Sequence, residues 1–109
     1  NSDAIIISFA EHNGSYTSAF KNILDWVSRI ERIVWCGKPM LLLSVSDGER
    51  GAKLVLDTAF NRIKRENSET LFKFSLKNFH STFDLEKGIL DAELKKIYKS
   101  VLTDFTKVI

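Results

Sequence analysis

The side chains able to do chemistry are few and scattered. Cys36 is the only cysteine, so neither an intramolecular disulfide framework nor a multi-thiolate zinc site can be built here. With Gly37 beside it and no local base, its thiol reads as an ordinary one. His80, between Phe79 and Ser81, is a lone histidine and makes no metal site. Lys21 and Asp25 are four apart in a helical stretch, a spacing that pairs them with each other. Arg62, Lys64 and Arg65 crowd the end of another helical stretch, where cations favour the negative end of the helix dipole. They read as a helix terminus rather than a binding patch. What remains is two loops, Glu11-His12-Asn13-Gly14-Ser15 and Ser44 to Gly51, rich in small, polar and turn-forming residues. Glu11 and Asp47 do not make the acidic cluster of a phosphate-accepting receiver domain, and neither loop has the lysine-bearing spacing of a P-loop.

Those loops must be held by the segments around them. Ala4-Ile5-Ile6-Ile7 is short, β-branched and wholly apolar, the pattern of a strand buried on both faces. Phe20, Ile23, Leu24, Val27, Ile30 and Val34 recur at helical spacing, with Ser15, Thr17 or Ser18 available as a cap and Gly37 and Pro39 as the stop. Met40-Leu41-Leu42-Leu43 with Val45 is a second buried strand. A helix from about Ala52 to Arg65 directs Ala52, Val55, Leu56, Ala59, Phe60 and Ile63 inward. Leu71 to Leu76 alternates Phe72, Phe74 and Leu76 with Lys73 and Ser75, which predicts one solvated face and a place at a sheet edge. The last helix runs from an Asp91 cap to about Val108, with Leu94, Ile97, Tyr98, Val101, Leu102, Phe105 and Val108 as its stripe. The order β-α-β-α-β-α predicts an α/β fold with a parallel sheet and right-handed crossovers. Both loops then follow strands and open on the same carboxyl edge, where such sheets bind ligands.

The chain has 109 residues, one domain's worth, and a net charge of +2, too slight to point to nucleic acid. No apolar run approaches a membrane span, and the expected compartment is the cytoplasm. The chain opens at Asn1 without methionine and enters an apolar run almost at once. The expectation is that the natural protein begins further upstream.

The first loop with its flanks, Asp3-Ala4-Ile5-Ile6-Ile7 to Glu11-His12-Asn13-Gly14-Ser15 and on to Phe20-Lys21-Asn22-Ile23-Leu24-Asp25-Trp26, resembles the NADPH-dependent FMN reductases. Lys38-Pro39 into a strand, then Ser44-Val45-Ser46-Asp47-Gly48-Glu49-Arg50-Gly51, is similar to that family's glycine-containing loop, and Phe83-Asp84 with Gly88 fits its tail. Ala10 stands where the family often has proline, and His12 where tyrosine is common. The resemblance implies a flavodoxin-like sheet with helices on both faces, here lacking the first two strands and the loop that binds the FMN phosphate. It implies FMN and NADPH as cofactors, and quinones, azo dyes, chromate or free flavin as small-molecule electron acceptors. Glu11, His12, Asn13 and Gly14 would border the flavin ring from the first loop, and Ser46, Gly48 and Gly51 from the second. The flavin performs the chemistry, so no side-chain nucleophile is expected. Trp26 and Trp35 would be buried at a subunit interface or in the core, and a homo-oligomer is expected. Without its neighbour the Ala4–Ile7 strand becomes an apolar edge, so this chain alone is expected to pair, swap or aggregate and to be inactive. The alternative reading is a non-catalytic flavodoxin-like module that binds a protein partner.

Overall fold

Three apolar runs become the three strands of one sheet, in a computed structural model that describes residues 3–11, 15–30, 35–67 and 69–109. Ile5–Phe9 (β1), Met40–Val45 (β2) and Leu71–Leu76 (β3) pair in parallel in the order β1-β2-β3. Ile5 lies opposite Met40, and Met40 opposite Leu71. β2 is paired on both sides and covered on both faces. Met40, Leu41 and Leu42 are accordingly sealed from solvent. β3 is the edge strand its alternation predicts, with Phe74 and Leu76 buried and Lys73 exposed.

β1 departs from the expectation of burial on both faces. Ile5, Ile7 and Phe9 turn toward the core, but Ile6 is 59% exposed. The reason is positional. β1 has β2 on one side only, and among the described residues no helix lies over its other face.

The crossovers β1-α1-β2 and β2-α2-β3 place helices α1 (Ser18–Ile30) and α2 (Lys53–Ile63) on one face. Thr17 caps α1 by accepting the Phe20 N–H at 3.1 Å. Leu24 is buried, and Phe20 packs edge-on against Phe9 at 4.9 Å and stacks on Trp35 at 6.2 Å. Ile23 and Ile30, expected inward, are 58% and 77% exposed, and Trp26 beside them is 70% exposed. The apolar positions of α1 span more than one helix face, and only the arc with Phe20, Leu24 and Val27 meets the sheet. The predicted end of this helix, including Val34, falls outside the described residues. α2 seats Val55, Leu56, Ala59 and Ile63 against Phe9, Met40, Leu42 and Leu71 as its spacing predicts. At the strands' amino edge, buried Asn67 joins two turns. Its Nδ2 donates to the Lys38 carbonyl at 2.9 Å, and its Oδ1 accepts the Thr70 N–H and hydroxyl at 3.1 and 2.8 Å.

The opposite face carries α4 (Ala92–Lys107), capped by Asp91, whose carboxylate accepts the Leu94 N–H at 2.9 Å. Phe105 packs on Phe72 at 6.1 Å and Tyr98 on Phe74 at 5.1 Å, so α4 lies over β3. Between β3 and α4 the chain forms a one-turn helix, α3 (Phe79–Thr82), and a small antiparallel hairpin, β4 (Phe83–Asp84) with β5 (Gly88–Ile89). Asp84 Oδ2 accepts the N–H groups of Glu86 and Lys87 in the hairpin turn. Among the described residues no helix is long and apolar enough to cross a membrane, and no cluster of His, Cys, Asp and Glu could hold a metal ion.

Candidate functional site

The parallel register brings both predicted loops to the carboxyl edge of the sheet. Phe9 ends β1 beside Ser44, and Val45 lies opposite Leu76. The loops after these strands are therefore neighbours, and the turn after β3 joins them.

Glu11 reaches across from the first loop. Its Oε1 accepts the Val55 N–H at 3.0 Å, one of the free donors in the first turn of α2, where no acidic residue of the helix itself sits. The carboxylate thus fastens the first loop to the amino end of α2. His12, Asn13 and Gly14, predicted with it, lie outside the described residues.

The second loop is fixed at both ends and open in the middle. Ser46 donates its N–H to the Leu76 carbonyl at 3.1 Å and accepts the Phe79 N–H on its own carbonyl at 3.0 Å. The Gly48 carbonyl accepts the Asn78 N–H at 2.9 Å, and the Gly48 N–H donates to Ser46 Oγ at 3.3 Å. Around Gly48 a side chain would meet, among the described residues, only Ser46 Oγ, at 3.9 Å. The N–H groups of Asp47, Glu49 and Arg50 have no partner among the described residues. Exposed main-chain donors beside a position without a side chain suit the polar edge of a flat ring. Ser46 and Gly48 lie at the lip of the carboxyl edge, in the loop after β2.

Gly51 stands elsewhere. It is buried at φ +58°, and a Cβ there would press on Ser75 Oγ and come within 3.0 Å of the backbone of Leu76 and Lys77. Its carbonyl accepts the hydroxyls of Ser44 at 2.7 Å and Ser75 at 2.9 Å. It lies beneath the loop and holds it against β3.

One pair at this edge escaped the sequence reading. The Asp47 carboxylate accepts the His80 main-chain N–H at 3.3 Å and lies 3.3 Å from His80 Nε2, both side chains being well exposed. The signal was available. Asp47 lies two residues past Val45 and His80 four past Leu76, and those strand ends are paired.

An open parallel sheet with helices on both faces and small-residue loops at its carboxyl edge defines an α/β protein of flavodoxin-like build. The model of one such family, described as NADPH-dependent FMN reductase, matches residues 1–68. That is more than half of the chain, and the protein belongs to this family. It is 31% identical over 111 residues to an NADPH:quinone oxidoreductase of Arabidopsis thaliana, across 92% of this chain and 52% of that protein. A solved structure, the flavoenzyme NAD(P)H:(acceptor) oxidoreductase FerB from Paracoccus denitrificans, shares the fold with a TM-score of 0.71 at 24% identity. That match covers 98% of this chain and 61% of FerB. The chain therefore spans about half the length of the curated relative it matches.

Proposed function

We propose that this chain is the C-terminal part of a flavodoxin-like domain that binds FMN at the carboxyl edge and acts as a flavin-dependent NAD(P)H oxidoreductase. The observation that carries this reading is the second loop, whose main-chain N–H groups beside an open Gly48 have no partner among the described residues, in a chain of this family. The flavin, when bound, accepts hydride from the nicotinamide and passes electrons to a small acceptor such as a quinone, azo compound, chromate or free flavin. The chain's own residues bind and orient. The N–H groups of Asp47, Glu49 and Arg50 would hold the ring's polar edge. Ser46 and Gly48 shape its resting place, Gly51 supports the loop from below, and Glu11 fixes the first loop, whose His12, Asn13 and Gly14 would border the ring. Family membership favours the enzyme over the interaction module.

The exposed stripe of Ile23, Trp26 and Ile30 on α1 supports a homo-oligomer, because apolar groups at one-turn spacing are stabilised when a second copy covers them. The test of the enzyme reading is flavin binding by the natural-length polypeptide, read as FMN fluorescence quenching, together with NADPH oxidation with a quinone present. Retained FMN and acceptor-dependent turnover are expected. A polypeptide that neither retains nor titrates with FMN would overturn the reading.

A further inference from the structure

Stability does not account for the pairing of Asp47 with His80. Both side chains are exposed, and an exposed ion pair contributes little to folding. What the pair does is aim an imidazole. One carboxylate serves His80 twice: its Oδ1 accepts the main-chain N–H at 3.3 Å, and its Oδ2 lies 3.3 Å from ring Nε2. The turn that carries His80 is tied to the second loop as well. The Phe79 N–H donates to the Ser46 carbonyl at 3.0 Å, and the Asn78 N–H to the Gly48 carbonyl at 2.9 Å. The Phe79 ring stacks on Phe83 at 5.1 Å and meets the imidazole edge-on at 6.0 Å. His80 is thus fixed to the loop that carries the free N–H groups of Asp47, Glu49 and Arg50. Its other ring nitrogen, Nδ1, has no partner among the described residues.

We propose that His80 is a catalytic acid at this edge, giving the Nδ1 proton to a carbonyl oxygen of a quinone as it is reduced, with Asp47 as its positioning residue. The proposal rests on the reading of the carboxyl edge as a flavin site. A quinone becomes a hydroquinone by gaining two electrons and two protons. Hydride from the reduced flavin brings both electrons and one hydrogen, and the oxygen left with the negative charge takes a proton. The Nδ1–H bond breaks as the O–H bond forms. The imidazole is left neutral with its Nε2–H still donated to Asp47, and solvent at the exposed ring returns the proton. Histidine is the side chain suited to giving and regaining a proton near neutral pH, and His80 is the one histidine among the described residues. Glu11, which the first loop brings to this edge, is engaged with the Val55 N–H. The arrangement therefore favours acceptors that take up protons with their electrons over acceptors that take electrons alone.

The experiment uses the natural-length polypeptide loaded with FMN, reduced with NADPH and mixed with an excess of acceptor, while flavin reoxidation is followed by absorbance. With 1,4-naphthoquinone, His80→Gln should slow reoxidation at least about tenfold. With ferricyanide, which takes an electron and no proton, the rate should stay within about twofold of the wild type. Added imidazole should restore naphthoquinone reduction in His80→Ala. Asp47→Asn should slow the naphthoquinone step alone, and by less; slowing with both acceptors would remove its positioning role. Independently of turnover, naphthoquinone added to the oxidised protein without NADPH should shift the His80 Cε1–H proton resonance, assigned by its loss in His80→Gln. Equal slowing with both acceptors, an undiminished naphthoquinone rate in His80→Gln, or an unmoved His80 resonance would each overturn the proposal. FMN retention is read on the same samples. A wild-type protein that retains no FMN removes the flavin reading and the proposal with it, whereas retained FMN with an unaffected naphthoquinone rate removes the proton role alone.

Discussion

Replacing Gly51 by alanine tests whether the second loop is set by a close backbone approach. At φ +58° an L-residue sits in the left-handed region, a conformation that costs roughly 1–2 kcal/mol. The new methyl would also come within 3.0 Å of the backbone of Leu76 and Lys77 and press on Ser75 Oγ. Relieving that contact moves the Gly51 carbonyl away from the Ser44 and Ser75 hydroxyls, and each such hydrogen bond contributes about 1 kcal/mol net. Together these give a loss of about 3 kcal/mol. Scaled to 109 residues, the unfolding entropy makes 1 kcal/mol equivalent to about 4 °C. The melting temperature should therefore fall by about 12 °C, followed by the fluorescence of Trp26 and Trp35 on heating and in urea. Gly37→Ala is the control. It has a similar φ, +68°, but nothing among the described residues within 4 Å of the added carbon, so only the conformational part, about 1 kcal/mol, should appear. If the two variants lose the same stability, the close approach contributes nothing and the reasoning about Gly51 fails.

Gly48→Val should leave the urea midpoint nearly unchanged, since the space around Gly48 is open, yet weaken FMN binding by about tenfold or more by occupying the ring's place. Unaltered affinity would move the ring away from this loop. Asn67→Ala removes three hydrogen bonds at a buried position and should cost about 2–3 kcal/mol in equilibrium unfolding; a loss under 1 kcal/mol would mean that water replaces the amide. Trp26→Glu places a charge in the exposed α1 stripe and should shift a sedimentation profile toward monomer, whereas an unchanged profile would put the subunit contact elsewhere.

The sequence made the sheet, its parallel order and the position of its loops readable because strand and helix periods alternate cleanly from Ile5 to Phe105. The inward set of α2 follows from spacing, since one face of that helix is apolar and the sheet meets it. Spacing fails on α1, where Ile23 and Ile30 share the helical rhythm of Leu24 but face outward. Periodicity marks apolar positions without saying which partner covers them. Gly51 was legible as a loop glycine but not as a buried one, because its burial depends on how close β3 comes. Asp47 and His80 are separated by a whole helix and strand, so their pairing emerges only from the β2–β3 register. The β4–β5 hairpin is too short for any alternation to show; its trace is the Asp84-to-Gly88 turn composition alone.

The sheet order has a consequence for how the chain is made. Ile5 waits for Met40, and Met40 for Leu71, so each strand emerging from the ribosome finds its partner already synthesised on the side just completed. Met40 to Leu42, the most deeply enclosed stretch, is enclosed only when β3 arrives beside it. Until then the growing chain presents β2 as a bare apolar edge, and the interval between the exit of Val45 and that of Leu76 is the window in which a chaperone or a misplaced strand competes for it.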